Sequence, residues 1–342
     1  MNILKTCIIA ACLLGSTAAV HARDYRYSDA HLHYVDFFQE SDGMDKLLAN
    51  MDAAAIDHVM ISGIPVAKKW HENEPKRPRY YAGDDAPVYW YSATDVLVAA
   101  ALEELDKDQR RRFHPFLSGF NPNDKNADAH IRRMLELHPG LWQGIGEIFT
   151  RHDDVTALTE GDTPRANNEA LNRVYKLAAE FDLPVMLHSN ITSKRERNPL
   201  YQEELEQALA AHPKTRFIWA HAGTSMELHR HQEKLEFLYE AVETLLDRHA
   251  NLYIDLSWTM LEPYLLDEKG MPDAEWVELV ERHPHRFMLG SDVVGRFDSL
   301  RKGMRAFDPF LDALSPATAQ RVARDNFLAI LPASTREARK AR

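Results

Sequence analysis

The chain has 342 residues, 45% of them apolar, and a formal charge of −11. That length suits one large α/β domain or two ordinary ones, with ample material for a core. The acidic balance excludes a general nucleic-acid binder, which carries a basic footprint, and leaves a small-molecule substrate as the expected partner, with a homo-oligomer possible.

Residues 1–22 read as a secretory signal. Lys5 precedes an apolar run from Thr6 to Val20 that is too short to span a bilayer comfortably. Val20-His21-Ala22 fits the small-x-small cleavage rule, so the exported chain is expected to start at Arg23. The expected location is the periplasm or the medium, without stable membrane insertion. Ile9-Ala10-Ala11-Cys12 has the look of a lipobox, but the apolar run continues past Cys12, which favours cleavage over lipidation. Both cysteines, Cys7 and Cys12, fall in this segment. The remainder has neither disulfide nor thiol ligand, and any metal must be held by His, Asp and Glu.

From residue 25 onward strands and helices alternate. Residues 25–35 form the first expected strand, and 42–55 a helix with Leu47, Leu48 and Met51 at helical spacing. A second strand covers 57–65. Residues 66–93 are an insertion without apolar period, carrying Trp70, Tyr80, Tyr81, Tyr89, Trp90 and Tyr91. Such a segment is either a lid over a site or a packed surface excursion. A helix over 94–111, capped by Thr94 or Asp95, leads to a strand at 113–120. Then come a helix at 127–138, a strand at 142–149, a polar loop at 150–166 and a helix at 167–181. Strands at 183–190, 216–223, 251–258 and 286–293 alternate with helices at 201–211, 229–249 and 274–282. Helices at 300–314 and 316–331 close the chain. Eight strand–helix units without an internal linker imply a parallel sheet. They fit one α/β domain over 23–342, a (β/α)8 barrel with an extra C-terminal helix. A doubly wound open sheet is the alternative, weakened because no Gly-rich phosphate turn follows the first strand.

Chemistry gathers at the strand ends. In Asp29-Ala30-His31-Leu32-His33, residues i and i+2 of a strand share a face, so His31 and His33 point the same way, about 7 Å apart along the backbone. Glu147, His188, His221 and Asp292 each stand at the C-terminal end of a later apolar strand. In a barrel those ends converge on the face where active sites are built. Buried without partners, each such group carries a desolvation cost, which a shared divalent cation removes.

Five motifs in order, DAHLH, GIGEI, MLHSN, WAHAG and LGSDV, resemble the amidohydrolase superfamily, nearest its amidohydrolase-2 (amidohydrolase-related) branch. The resemblance implies a metal-dependent barrel acting mainly as a hydrolase. It makes His31, His33 and His188 metal ligands, Asp292 a ligand or the base that takes a proton from water, and His221 a further ligand or a polariser of the substrate. Glu147 matches a metal-binding glutamate of TatD-like hydrolases, where other members carry a carboxylated lysine. As a bridging ligand it implies two ions, as an acid beside the ligands one; a salt bridge to Arg151 or Arg296 is the structural alternative. Asp29 and Asp255 are expected as partners in the polar network of the barrel. His and carboxylate ligands with an open position suit Zn²⁺, which lowers the pKa of water and polarises a carbonyl.

The rival reading is a lyase similar to aminocarboxymuconate-semialdehyde decarboxylase. There Arg151 and Arg296, just past their strands, would hold a substrate carboxylate by paired hydrogen bonds. Export favours hydrolysis. A non-catalytic envelope metal-binding protein is the third reading, disfavoured because the ligand set is complete. The substrate stays open among lactones, esters, amides, cyclic ureas and phosphoesters.

Overall fold

The computed structural model describes residues 24–68, 88–152 and 155–340. Its strands, in chain order, are β1 (Tyr27–Asp29), β2 (Leu32–His33), β3 (Ile56–Ile61), β4 (Val66–Lys68), β5 (Val88–Trp90), β6 (Phe113–Leu117), β7 (Gly144–Thr150), β8 (Val185–Ser189), β9 (Phe217–Trp219), β10 (Leu252–Asp255), β11 (Phe287–Met288) and β12 (Val293–Val294). Eight of them run parallel in the order β1-β3-β6-β7-β8-β9-β10-β11. The ring closes where Ala30 N donates to Leu289 O at 2.8 Å and where β2 pairs in parallel with β12, Leu32 against Val293 and His33 against Val294. This is a (β/α)8 barrel. The expected first strand is thus two short pieces, β1 paired with β3, and β2 paired with β12 while still hydrogen-bonded to Ser62 just past β3.

Alternation along the strands sorts the side chains into two layers. On β8, Val185 and Leu187 face the helices and pack with Leu171, Val174, Tyr175 and Ala178 of helix Glu169–Glu180. Met186, between them, faces the barrel interior with Ala30, Met60, Phe116, Ile218 and Met288. Phe327, Leu328, Ile330 and Leu331 join that inner cluster from the C-terminal helices. β7 breaks the alternation. Its register against β8 shifts between Ile145 and Ile148. Both isoleucines belong to the outer layer, and strict alternation from Ile145 would send Glu147 outward too. The irregularity turns Glu147 inward. Gly146 makes room for it: at φ +116°, a Cβ there would lie 2.2 Å from the Met186 carbonyl oxygen.

Several helices are shorter than the sequence suggests. The 94–111 stretch splits into Thr94–Glu103 and Lys107–Arg110, since Asp106 and Gln109 form a capping box that restarts the helix. Thr94 and Asp95 do not cap; Thr94 Oγ1 accepts from Ile64 N, and Asp95 accepts from Ser118 N and Gly119 N, which ties the helix to the barrel. The 229–249 stretch splits into Met226–Gln232 and Leu238–Arg248, the first capped by Ser225. An additional helix, Ala333–Lys340, follows the two closing helical stretches.

The signal segment and Trp70, Tyr80 and Tyr81 of the aromatic insertion lie outside the described residues. The insertion's described ends form the antiparallel ribbon β4–β5. Among the described residues no helix is long and apolar enough to cross a membrane.

Candidate metal centre

The parallel strands deliver His31 and His33 around β2, Glu147 from β7, His188 from β8, His221 just past β9 and Asp292 just before β12 to one end of the barrel. All are buried apart from Asp292, whose side chain is 13% exposed. Each imidazole has one nitrogen fixed by an acceptor. His33 Nδ1 lies 2.9 Å from Gly63 O, a carbonyl that can accept but not donate, so the proton is on Nδ1. His31 Nδ1 faces Asp255 Oδ2 at 2.8 Å, and His188 Nε2 faces Asn190 Oδ1 at 2.9 Å. His221 Nδ1 lies 2.8 Å from Ser257 Oγ, whose hydroxyl donates to Asp255 Oδ2. The opposite nitrogen of every ring is thereby turned toward Glu147, and those of His31, His33 and His221 toward Asp292 as well. Partners of this kind set the tautomer and orientation of metal-binding histidines.

The separations fall into two groups. His31 Nε2 and His33 Nε2 are 3.3 Å apart. Glu147 Oε2 lies 3.4 and 3.2 Å from them, and Asp292 Oδ1 lies 3.5 Å from each. Adjacent ligands of one four-coordinate zinc ion, about 2.0–2.1 Å from it, are about 3.3 Å apart. The second group places His188 Nδ1 at 3.0 Å and His221 Nε2 at 3.7 Å from Glu147 Oε1, with Asp292 Oδ2 3.6 Å from His221 Nε2. Glu147 faces both groups, one oxygen to each. His188 stands in the second group, with His221 and Glu147, and not beside His31 and His33. A third cluster, His31, His221 and Asp255, is an orienting one, because Asp255 already engages the Nδ1 side of His31.

The electrostatics match a site that holds positive charge. Burial alone would lower the His31 imidazolium, yet Glu147, Asp292 and Asp255 hold it well above its ordinary value. His33 likewise resists burial and rises to about 9 through its contacts with Asp292 and Glu147. Burial would raise Glu147, but the surrounding imidazoles hold it well below the usual carboxylate range. Asp292 is lowered against its own burial by His31 and His33. His221 behaves differently: burial pushes it down to about 4, so it is a neutral ring. Without a cation, protons must fill the space between these nitrogens and carboxylates. The donor set therefore fits a divalent metal.

Residues 28–332 match the amidohydrolase-2 family, described as amidohydrolase. The chain belongs to the amidohydrolase family. Among solved structures it is similar to an amidohydrolase from Burkholderia multivorans with bound zinc, at 15% identity over 90% of this chain and 100% of that one, TM-score 0.54. A dihydroorotase from Campylobacter jejuni is 17% identical over 89% of this chain and 82% of that one, TM-score 0.51. A 2,6-dihydroxybenzoate decarboxylase, complexed with 2,6-dihydroxybenzoate, is 13% identical over 89% and 98%, TM-score 0.50. No curated protein matches the sequence.

In this amidohydrolase a cavity of about 280 Å³ opens onto the cluster. His33, Glu147, His188, His221 and Asp292 form its polar side, and Phe37, Phe38, Ile64, Phe149 and Trp258 its apolar side. Three non-glycine residues of this wall have left-handed backbones: His221 (φ 51°), Trp258 (φ 51°) and Asp292 (φ 50°). Each such residue costs on the order of 1–3 kcal/mol and persists where the surroundings enforce it. Gly290 is required beneath them, since a Cβ there would lie 2.6 Å from His31 Cβ and 2.7 Å from Asp255 Oδ1.

Two expected substrate-binding residues go elsewhere. Arg151 forms a two-pronged pair with Glu204 and stacks 4.1 Å over the Tyr201 ring. Arg296 reaches Asp36, Glu40 and Asp42 at 2.9–3.2 Å. Neither lines the cavity, because each finds its carboxylates on neighbouring loops and helices. The same geometry leaves Glu147 to the histidines and not to these arginines. Asp29 is a network residue, its Oδ1 accepting from His31 N and Ser291 N. Asp255 does more than expected, orienting His31 directly and His221 through Ser257. Asn190 and Ser257 were not among the expected residues, although they follow His188 and Asp255 by two positions, as His33 follows His31. Nor was His152, which lines the cavity and stacks on His188 with ring centroids 4.2 Å apart.

Proposed function

We propose that this amidohydrolase is a metal-dependent hydrolase of a small ester, lactone, amide or related substrate, with Zn²⁺ as the preferred ion and two sites sharing Glu147. One observation carries the reading: four imidazoles, each pinned at one nitrogen, turn the other toward Glu147, and three of them toward Asp292 as well. His31, His33, Glu147 and Asp292 would hold one ion, and Glu147, His188 and His221 the other. When bound, a divalent cation supplies Lewis acidity, lowering the pKa of water and polarising a carbonyl.

The chain's own groups supply the rest. Asp292 lines the cavity, and its Oδ2 takes the proton of the attacking water and returns it to the leaving group. Asp255 keeps the Nδ1 proton of His31 in place, and its hydrogen bond from Ser257 carries the same control to His221. The apolar wall of Phe37, Phe38 and Phe149 seats the body of the substrate and limits water. Decarboxylation loses its sequence argument, since Arg151 and Arg296 are bound to other carboxylates. Export is part of this reading, supported by Lys5 ahead of an apolar run and by Val20-His21-Ala22; N-terminal sequencing of the exported protein should begin at Arg23.

The test is metal analysis of protein purified without added metal, followed by a substrate panel of lactones, esters, amides, cyclic ureas and phosphoesters, and a carbon dioxide assay with aromatic carboxylic acids. Bound divalent metal and chelator-sensitive hydrolysis are expected. Carbon dioxide release without hydrolysis would make the enzyme a lyase, and absence of stoichiometric metal would remove the mechanism.

A further inference from the structure

A second cavity, of about 600 Å³, opens at the other end of the barrel. It lies at the N-terminal ends of β3, β6 and β7, where His58, His114 and Gln143 line it. Its volume suits an organic ligand of ordinary size. Three cations stand around it, Lys107, Arg110 and Arg111, all on or beside the short helix Lys107–Arg110. Lys107 pairs with no carboxylate in the ion pairs of the described residues. Arg110 gives one of its N–H groups to Leu102 O at 3.0 Å, which leaves most of its donor fork for another partner. Arg111 shares Asp108 at 3.0 Å on the exposed side. No carboxylate occurs among the described residues that line the cavity.

The interior combines a directed polar chain with apolar surface. Gln143 Oε1 lies 2.7 Å from His114 Nδ1, so that nitrogen donates. His114 Nε2 then accepts from His58 Nδ1, 3.1 Å away. Phe113 and Leu141, both buried, supply the apolar part. Cations at the mouth and an apolar interior call for a molecule with one anionic end and one ring or short chain. Arginine forks match planar or tetrahedral oxyanions in particular.

We infer that this cavity is a binding site for a small aromatic oxyanion, separate from the metal centre. The anionic group meets Lys107 and Arg110, and the ring lies against Phe113 and Leu141. The site does not depend on the reaction assigned to the metal centre, so either assignment can fail alone.

The experiment is calorimetric titration of the metal-loaded enzyme with phenylphosphonate, which has no hydrolysable ester. Methylphosphonate and phenol serve as controls lacking the ring and the charge. Saturable binding of phenylphosphonate is expected, at least tenfold tighter than either control and weakening as salt rises. The double variant Lys107→Ala/Arg110→Ala should lose binding by tenfold or more, and so should Lys107→Glu alone, while both keep wild-type metal content. Absence of saturable binding, or binding that survives both variants because it occurs at the metal centre, would overturn the inference.

Discussion

At the C-terminal end of the barrel, imidazoles and carboxylates crowd within hydrogen-bonding distance of one another, buried and mutually dependent. At the N-terminal end, Phe327, Leu328, Ile330 and Leu331 fill the interior with apolar side chains, and charge stays near the surface. The strands between are the same strands. The difference is which residues their ends present, and it separates groups that create chemistry from groups that hold the barrel closed. Substitutions at the two ends should accordingly separate loss of metal and turnover from loss of stability.

The largest effect is expected for His31→Ala. It removes a ligand from the first group and breaks the Asp255 contact, so the metal of that group and hydrolysis should vanish together, measured on one preparation by elemental analysis and kcat. A variant that keeps both would show that the cluster is no metal site. Asp292→Asn sharpens the comparison within the active end. The histidines remain and an amide oxygen still coordinates weakly, so much of the metal should stay. The amide cannot take a proton at neutral pH, and kcat should fall by about 10²–10⁴-fold. Full activity would take the role of base from Asp292.

Proton competition gives the next effect. The metal-free protein holds protons on His33, with its value raised to about 9, and on His31, raised well above its ordinary value. Metal binding needs both rings neutral and must expel those protons. Apparent affinity should therefore rise with pH below about 9, by about tenfold per pH unit for each proton displaced. Titrations in buffers of different ionisation enthalpy count the protons directly, and zero release at pH 7 would contradict the arrangement. Asp255→Asn should be milder. It leaves every ligand in place and weakens the orientation of His31, costing about 10–100-fold in metal affinity.

The smallest effect on chemistry comes from the other end. Phe327→Ala opens a hole in the inner apolar cluster, beside the His114 ring, and should cost about 3–5 kcal/mol of stability, seen in denaturant unfolding. Metal content and kcat of the folded fraction should stay within about twofold of wild type. A large drop in kcat would mean that the two ends are not separable.

Much of this division was legible in the sequence. The strand ends carrying His31, His33, Glu147, His188, His221 and Asp292 could be read from apolar runs that stop at a polar residue. The barrel followed from the count of alternating units. What escaped depends on contacts distant in sequence. Arg151 and Arg296 stand next to strand ends, as ligands do, and nothing local reveals that Glu204 or the Asp36–Asp42 loop captures them. The inward turn of Glu147 rests on the register shift in β7, which the alternation of GIGEIF does not announce. The assignment of His188 to the group with His221 depends on which strands are neighbours around the ring. Helix breaks near residues 104–106 and 233–237 come from the Asp106–Gln109 capping box and from Glu233 at φ 61°, which an apolar period runs straight over.

The seam of the barrel has a consequence for assembly. β2 and β12 join the beginning of the folded chain to its last strand, and Asp292 N donates to His31 O at 2.8 Å across that seam. The same crossing brings Asp292 to His31 and His33. A chain that has not yet placed β12 has His31, His33 and Glu147 but no carboxylate from the far side of the seam. Completion of this ligand set therefore belongs to the final stage of folding, and an ion held there would clasp the two ends of the ring together.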